Sequence, residues 1–283
     1  MWMIRNHRRR LACGFASLLI AWCSAEAGEQ AFKVCADPNN PPFSDDKGQG
    51  FENKIAEMFA RELGQKLEYT WFPQRLGFIR NTLKAKLPDS EEYKCDVVMG
   101  VPAGYELAAT TPPYYRSTYA LVYAKGKGFD DIKAPGDLDK LPADKKSKLR
   151  IAMFDGAPGT TWLLNHHLIE QGVPYQTMTA DASVNTAQIL EKDLRDGKID
   201  MVIVWGPIAG YLAARNPFEL IPMKSEPGLK FDFPIAMGVR FPDKERKAQL
   251  ETLIKSNAVE IQALLRENKV PLVDEQGSLL LTK

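Results

Sequence analysis

Short apolar segments alternate with amphipathic helical stretches, and the series runs twice along the chain, which restricts it to an α/β architecture built on mostly parallel sheets. In the first series Phe32-Lys33-Val34-Cys35-Ala36 reads as a buried strand that ends at the loop Asp37-Pro38-Asn39-Asn40-Pro41-Pro42-Phe43. A helix opened by Gly50-Phe51-Glu52-Asn53 follows, with Ile55, Met58, Phe59 and Leu63 on one face and Gly64 as its stop. Leu67 to Trp71 is a second strand, Leu76, Ile79, Leu83 and Leu87 mark a second amphipathic helix, and Cys95 to Gly100 is a third strand. Strands and helices in this order imply right-handed crossovers.

After Tyr123 the composition shifts to Lys, Asp, Pro and Gly through Lys148, a surface stretch with one weak helix around Pro135 to Leu141. The pattern then restarts. Leu149 to Phe154 reads as a strand, Gly156 to Thr161 as a turn and helix start, and Trp162 to Glu170 as a helix. Another helix carries Ala187, Leu190 and Leu194 on one face, stops at Gly197 and feeds the strand Ile199 to Val204. Phe233 to Phe241 is extended, and Asp243 is placed to cap one long helix with the stripe Leu250, Leu253, Ile254, Ala258, Ile261, Leu265. If that helix packs back on the first series, the chain crosses between two lobes near Ser117 to Leu121 and near Phe233 to Val239. The expected organisation is residues 28–118 plus 238–283 as lobe one, 119–237 as lobe two, and a two-stranded hinge between them.

Residues 1–27 read as a secretory signal peptide: Arg5, Arg8, Arg9 and Arg10, the apolar run Leu11 to Trp22, then Ala25-Glu26-Ala27. The run is too short to be a membrane anchor, which needs ~20 apolar residues. Removing four Arg and one Glu from 37 basic and 36 acidic residues leaves a charge of −2, no basis for binding nucleic acid or an acidic membrane. No other segment suggests membrane insertion. The leader also takes Cys13 and Cys23, so the exported chain keeps Cys35 and Cys95. In an oxidising compartment that pair is a disulfide candidate, the alternative being two buried free thiols.

Ligands of open parallel sheets sit at the carboxyl ends of the strands, so the strand assignments point to the cleft residues. The first lobe offers Asp37, Asn39, Asn40 and Phe43, Glu52 at the helix start, and Trp71, Phe72, Gln74 and Arg75, then Pro102, Tyr105, Tyr114, Tyr115 and Arg116. Asp155, Thr160, Thr161, Trp205 and Tyr211 come from the second. Each has a plainer reading: the prolines stiffen a turn, Trp71 or Phe72 packs between sheet and helices, the arginines pair with surface acids, and Thr160 or Thr161 caps a helix. His166 and His167 have no metal-ligand spacing and no nucleophile beside them, so neither a metal, a cofactor nor a catalytic group is expected.

The blocks Cys35 to Asn40, Gly50 to Ala56, Tyr69 to Trp71, Gln74 to Leu83, Cys95 to Tyr105 and Val204 to Tyr211 resemble, in order, the methanol-dehydrogenase-associated MxaJ/XoxJ-type proteins, leaning to XoxJ. The wider resemblance is to type II periplasmic solute-binding proteins. It implies a non-enzymatic periplasmic accessory protein serving a PQQ-dependent methanol dehydrogenase, with that enzyme and its cytochrome c as partners. Where amino-acid binders of this fold usually place an Arg after the third strand, this chain has Ala103 to Ala109. Where they place an acid after the last lobe-two strand, it has Trp205. A zwitterion would therefore be desolvated without partners. The competing readings are an ABC-importer receptor for a neutral or aromatic small molecule, and a dehydratase-like enzyme using Glu52, Asp37 or Glu106 as general acid.

Overall fold

The computed structural model describes residues 1–2, 31–177, 181 and 183–280; the signal-peptide reading lies outside them, apart from Met1 and Trp2 at its start. The first series gives β1 (Phe32–Ala36), a hairpin of β2 (Asn39–Asn40) and β3 (Ser44–Asp45), α1 (Phe51–Leu63), β4 (Leu67–Trp71), a single turn α2 (Phe78–Asn81), β5 (Val97–Pro102) and β6 (Ala109–Thr110). The ten-residue β7 (Tyr115–Ala124) leads to a 3-10 turn (Pro135–Lys140), α3 (Ala143–Lys146), β8 (Ile151–Phe154), α4 (Pro158–Asn165) and β9 (Gly172–Tyr175). Then come α5 (Thr186–Arg195), β10 (Met201–Trp205), α6 (Gly206–Arg215), β11 (Phe218–Pro222), β12 (Asp232–Val239), α7 (Lys244–Ser256) and α8 (Ala258–Glu267).

The strands follow one path, β4-β1-β5-β12-β7-β10-β8-β9, with β11 beside β7 and β6 beside β12. β1 pairs in parallel with β4 and β5, and β8 in parallel with β10 and β9, whereas β12 and β7 are antiparallel insertions between the two parallel sets. β7 belongs to both halves. Its residues Tyr115 to Thr118 pair with β12, and Tyr119 to Tyr123 pair with β10.

Separate cores lie on either side of this join. Phe32, Phe51, Ile55, Phe59, Leu250, Leu253, Ile261 and Leu265 are buried together, so the C-terminal helices complete the core begun by β1 and α1. Ile235 and Met237 belong to this core, so the second crossing falls in the first residues of β12, within the segment Phe233 to Val239 expected to carry it. The other half is built on Leu121, Tyr123, Ile151, Trp162, Leu163 and Phe231, with Leu190, Leu194, Val202 and Leu212 on its opposite face.

α1 starts where the sequence signals. Asn53 Oδ1 accepts from Gly50 N at 3.2 Å and Asp45 N at 2.9 Å, tying the hairpin to the helix start, and a side chain at Gly50 would run into the Phe43 carbonyl. Cys35 and Cys95 form a disulfide with Cα atoms 5.4 Å apart.

Several expectations give way to local chemistry. The second amphipathic helix is one turn: Ile79 and Leu83 are buried, but Leu76 is 90% exposed, and Thr82 Oγ1 bonds the Phe78 carbonyl at 2.7 Å where the turn ends. The helix expected through Glu170 stops at Asn165, because His167 takes a left-handed backbone (φ 54°). The long C-terminal helix is two, broken at buried Asn257, whose amide donates to the Leu253 carbonyl at 2.9 Å, and Ala258 is exposed. Asp243 stands at the N-cap position of α7 but its side chain makes no cap bond, pairing instead with Arg240 at 2.5 Å. The polar stretch after Tyr123 contributes Phe129, Ile132 and Leu138 to the core.

Candidate functional site

Between the halves lies a cavity of about 270 Å³ lined from the strand ends of both. Asp37 follows β1 and organises one wall: Oδ1 accepts from Asn39 N at 2.8 Å and Oδ2 from Gln74 N at 2.6 Å. Asn40 Nδ2 donates to Gln74 Oε1 at 2.7 Å, so the β1 and β4 end loops are stitched together. Tyr119, Phe154, Val204, Trp205 and Ile208 give the cavity its apolar surface. Tyr119 and Trp205 meet edge to face at 5.4 Å, and Phe233 closes the aromatic group behind them.

Asn39 crosses the cleft. Its Nδ2 donates to the Ser183 carbonyl at 3.0 Å, and its Oδ1 accepts from Asn185 Nδ2 at 3.0 Å. Asn185 in turn caps α5, accepting from Gln188 N at 2.9 Å, so the bridge ends on a fixed helix terminus.

Of the residues named from sequence, Asp37, Asn39, Asn40, Gln74, Arg75 and Trp205 come together here. The others do not line this cavity. Phe43 packs on Phe51 at 5.5 Å and anchors the hairpin. Trp71 is 36% exposed and stacks on Tyr69 at 4.4 Å, while Phe72 turns in towards Phe78 beside the disulfide. Pro102 is exposed, Tyr105 packs in the disulfide-side core, and Asp155 and Thr161 are exposed. Arg116 pairs with Asp232 at 2.7 Å across the two hinge strands. Burial works against the Asp232 charge, but bonds from Ser225 and Arg116 hold its carboxyl below the usual range. Thr160 Oγ1 donates to the Phe154 carbonyl at 2.6 Å, so its hydroxyl serves the turn. Tyr211 lines a second, larger cavity of about 490 Å³ that shares Asn39 and Pro41, with Arg215 over its ring at 5.1 Å.

Glu52, Tyr114 and Tyr115 lie in the first core. Glu52 Oε1, Asn53 Nδ2 and the hydroxyls of Tyr69, Tyr114 and Tyr115 are enclosed without hydrogen-bond partners. Burial pushes the Glu52 carboxyl up to about 8, with Tyr114 beside it acting in the opposite sense, and burial pushes the Tyr69 hydroxyl up to about 12. His166 is half-buried: it stacks on Trp162 at 3.9 Å and bonds Asp139 at 2.7 Å.

Tyr119, Phe154 and Asn185 were not anticipated as lining residues. Phe154 ends a strand that the sequence does show, and Asn185 has the look of an N-cap before an apolar stripe, so both were within reach. Among the described residues no group of three or more His, Cys, Asp or Glu could hold a metal ion, and no helix is long and apolar enough to cross a membrane.

No protein-family model matches the chain. It is similar to protein MoxJ of Paracoccus denitrificans, 29% identical over 282 residues that cover 93% of this chain and 97% of that one. Among solved structures, MxaJ from Methlophaga aminisulfidivorans MPT is 25% identical with a TM-score of 0.66, covering 86% of this chain and all of that one. The periplasmic binding protein XoxJ from Methylobacterium extorquens AM1 is 35% identical with a TM-score of 0.68, covering 87% of this chain and 100% of that one. A two-part α/β fold joined at β7 and β12, likeness over nearly the whole described length and the ordered sequence blocks all agree: the chain belongs to the XoxJ and MxaJ family of type II periplasmic binding proteins.

Proposed function

We propose that the chain is a non-enzymatic periplasmic accessory protein of methanol oxidation that binds a PQQ-dependent methanol dehydrogenase through the rim of its interlobe cleft, with the cytochrome c of that system as a second candidate partner. Residues 1–27 direct export, and the halves open and close about β7 and β12. The observation that carries this reading is one exposed aromatic, Trp71, beside a cleft whose lining charges are engaged within the chain. Asp37 has both carboxylate oxygens occupied by backbone N–H groups, Arg75 is engaged within the chain, and Trp71 stands 36% exposed two residues before Pro73 of the cavity wall. An exposed, stacked Trp supplies a large contact area at little entropic cost.

Trp71→Ala should weaken association with the purified dehydrogenase by ~2 kcal/mol while the thermal midpoint of the free protein stays near that of the wild type. Unchanged association with a lowered midpoint would assign Trp71 to packing and remove the support for this rim. A free amino acid should not bind: calorimetric titration with the twenty amino acids is expected to show none near micromolar affinity, about −8 kcal/mol.

A further inference from the structure

We propose that the 270 Å³ cavity takes a small, uncharged, planar molecule carrying a hydrogen-bond acceptor, which sits against Trp205 and Tyr119. The inference rests on the binding-protein reading of the cleft but not on which protein partner its rim meets.

Size comes first. A cavity of about 270 Å³ suits a small molecule the size of one substituted ring, and the larger cavity next to it is reached past Asn39 and Pro41, which line both. Asn39 also spans the opening through its bonds to Ser183 and Asn185, and a threaded polypeptide would have to break that bridge.

Charge is next. Asp37, Arg75 and Asp181 are the charged residues lining the space. Asp37 is saturated by Asn39 N and Gln74 N, Asp181 Oδ1 takes Ser183 N at 2.9 Å and Ser183 Oγ at 2.7 Å, and Arg75 is engaged within the chain. A charged ligand would lose its hydration while the charged groups that line the space stay bonded to the chain and would have to give up those bonds to meet it.

The last point is the polar handle. Among the described residues neither the Trp205 indole N–H nor the Tyr119 hydroxyl has a hydrogen-bond partner, although both side chains line the cavity. An indole nitrogen can only donate, so a ligand that satisfies it must bring an acceptor, and the rings of Tyr119, Phe154 and Trp205 favour a flat apolar body around that acceptor.

Three probes of one shape separate the possibilities: benzamide is neutral, benzoate anionic and benzamidinium cationic. Titration of the mature protein, followed by calorimetry and Trp fluorescence, should show benzamide binding at least tenfold tighter than either ion. Trp205→Phe, which keeps a ring and removes the N–H, should weaken benzamide about fivefold, with its thermal midpoint recorded to show that it folds. Tyr119→Phe gives a second reading should that variant fail to fold. Equal or tighter binding of either ion, no binding of any probe at millimolar concentration, or benzamide affinity indifferent to both substitutions would overturn the proposal. Association with the dehydrogenase is measured on ligand-free protein, so either idea can fail alone.

Discussion

Glu52 is a carboxyl held where an ion is unwelcome. It lies against Gly100, near the hydroxyls of Tyr114 and Tyr115, with one oxygen enclosed and unpartnered. In the folded chain it keeps its proton up to about 8, whereas an unfolded Glu loses it near 4.5. Unfolding therefore releases a proton between these values, and the contribution of Glu52 to stability is intact below 4.5 and declines as pH rises towards 8. The loss across this range is expected on the order of a few kcal/mol. Glu52→Gln should accordingly raise the thermal midpoint at pH 8 and leave it nearly unchanged at pH 4.5; equal shifts at both would show that ionisation is not the cause. At this scale the sequence was readable where position along a strand decides: Asp37, Asn40, Gln74 and Trp205 follow strand ends and line the cavity. It misled where side-chain direction decides, since Glu52, Tyr114 and Tyr115 are close in sequence to cleft loops yet turn into the core.

Elements were legible when an apolar stripe coincided with a stop residue, as in α1 with Gly64 or α5 ahead of Gly197. They were not when a single polar side chain competed for backbone groups, as Thr82 does after α2 and Asn257 between α7 and α8. The edge strands β9 and β11 each carry a proline, which reads against a strand. α6 packs in a way no sequence period signals. Gly210 faces the Lys269 and Asn268 carbonyls, which would stand 2.5 and 2.6 Å from an added Cβ, and Gly206 faces Thr118 and Pro271. The helix thus rides directly on the segment that follows α8. Gly210→Ala should cost about 1–3 kcal/mol as the two backbones are forced apart, visible as a lower denaturation midpoint in urea. A neutral outcome would mean that this contact yields without strain.

Across the whole molecule, the disulfide joins β1 to the residue pair ahead of β5 and closes a loop with a sequence separation of 60, so reduction or Cys35→Ser with Cys95→Ser should cost roughly 4 kcal/mol on the chain-entropy view. Denaturant titration with and without reductant measures it, and thiol labelling of the unreduced, unfolded chain should find neither cysteine free. The division into two parts was foreseeable from the repeat of the strand and helix series. The second crossing was legible only to within the segment Phe233 to Val239, because β12 looks equally extended throughout and only the burial of Ile235 and Met237 assigns it to the first core. That first core also sets an order in time. Its N-terminal members are made early, but Leu250, Leu253, Ile261 and Leu265 are made last, whereas the second half is continuous from the end of β7 to Phe231 just before β12. During synthesis and export the middle of the chain can fold while its beginning waits for its end. A protein cut short before α7 should therefore keep a folded, protease-resistant middle and lose its N-terminal half, although every residue of that half up to the cut is present.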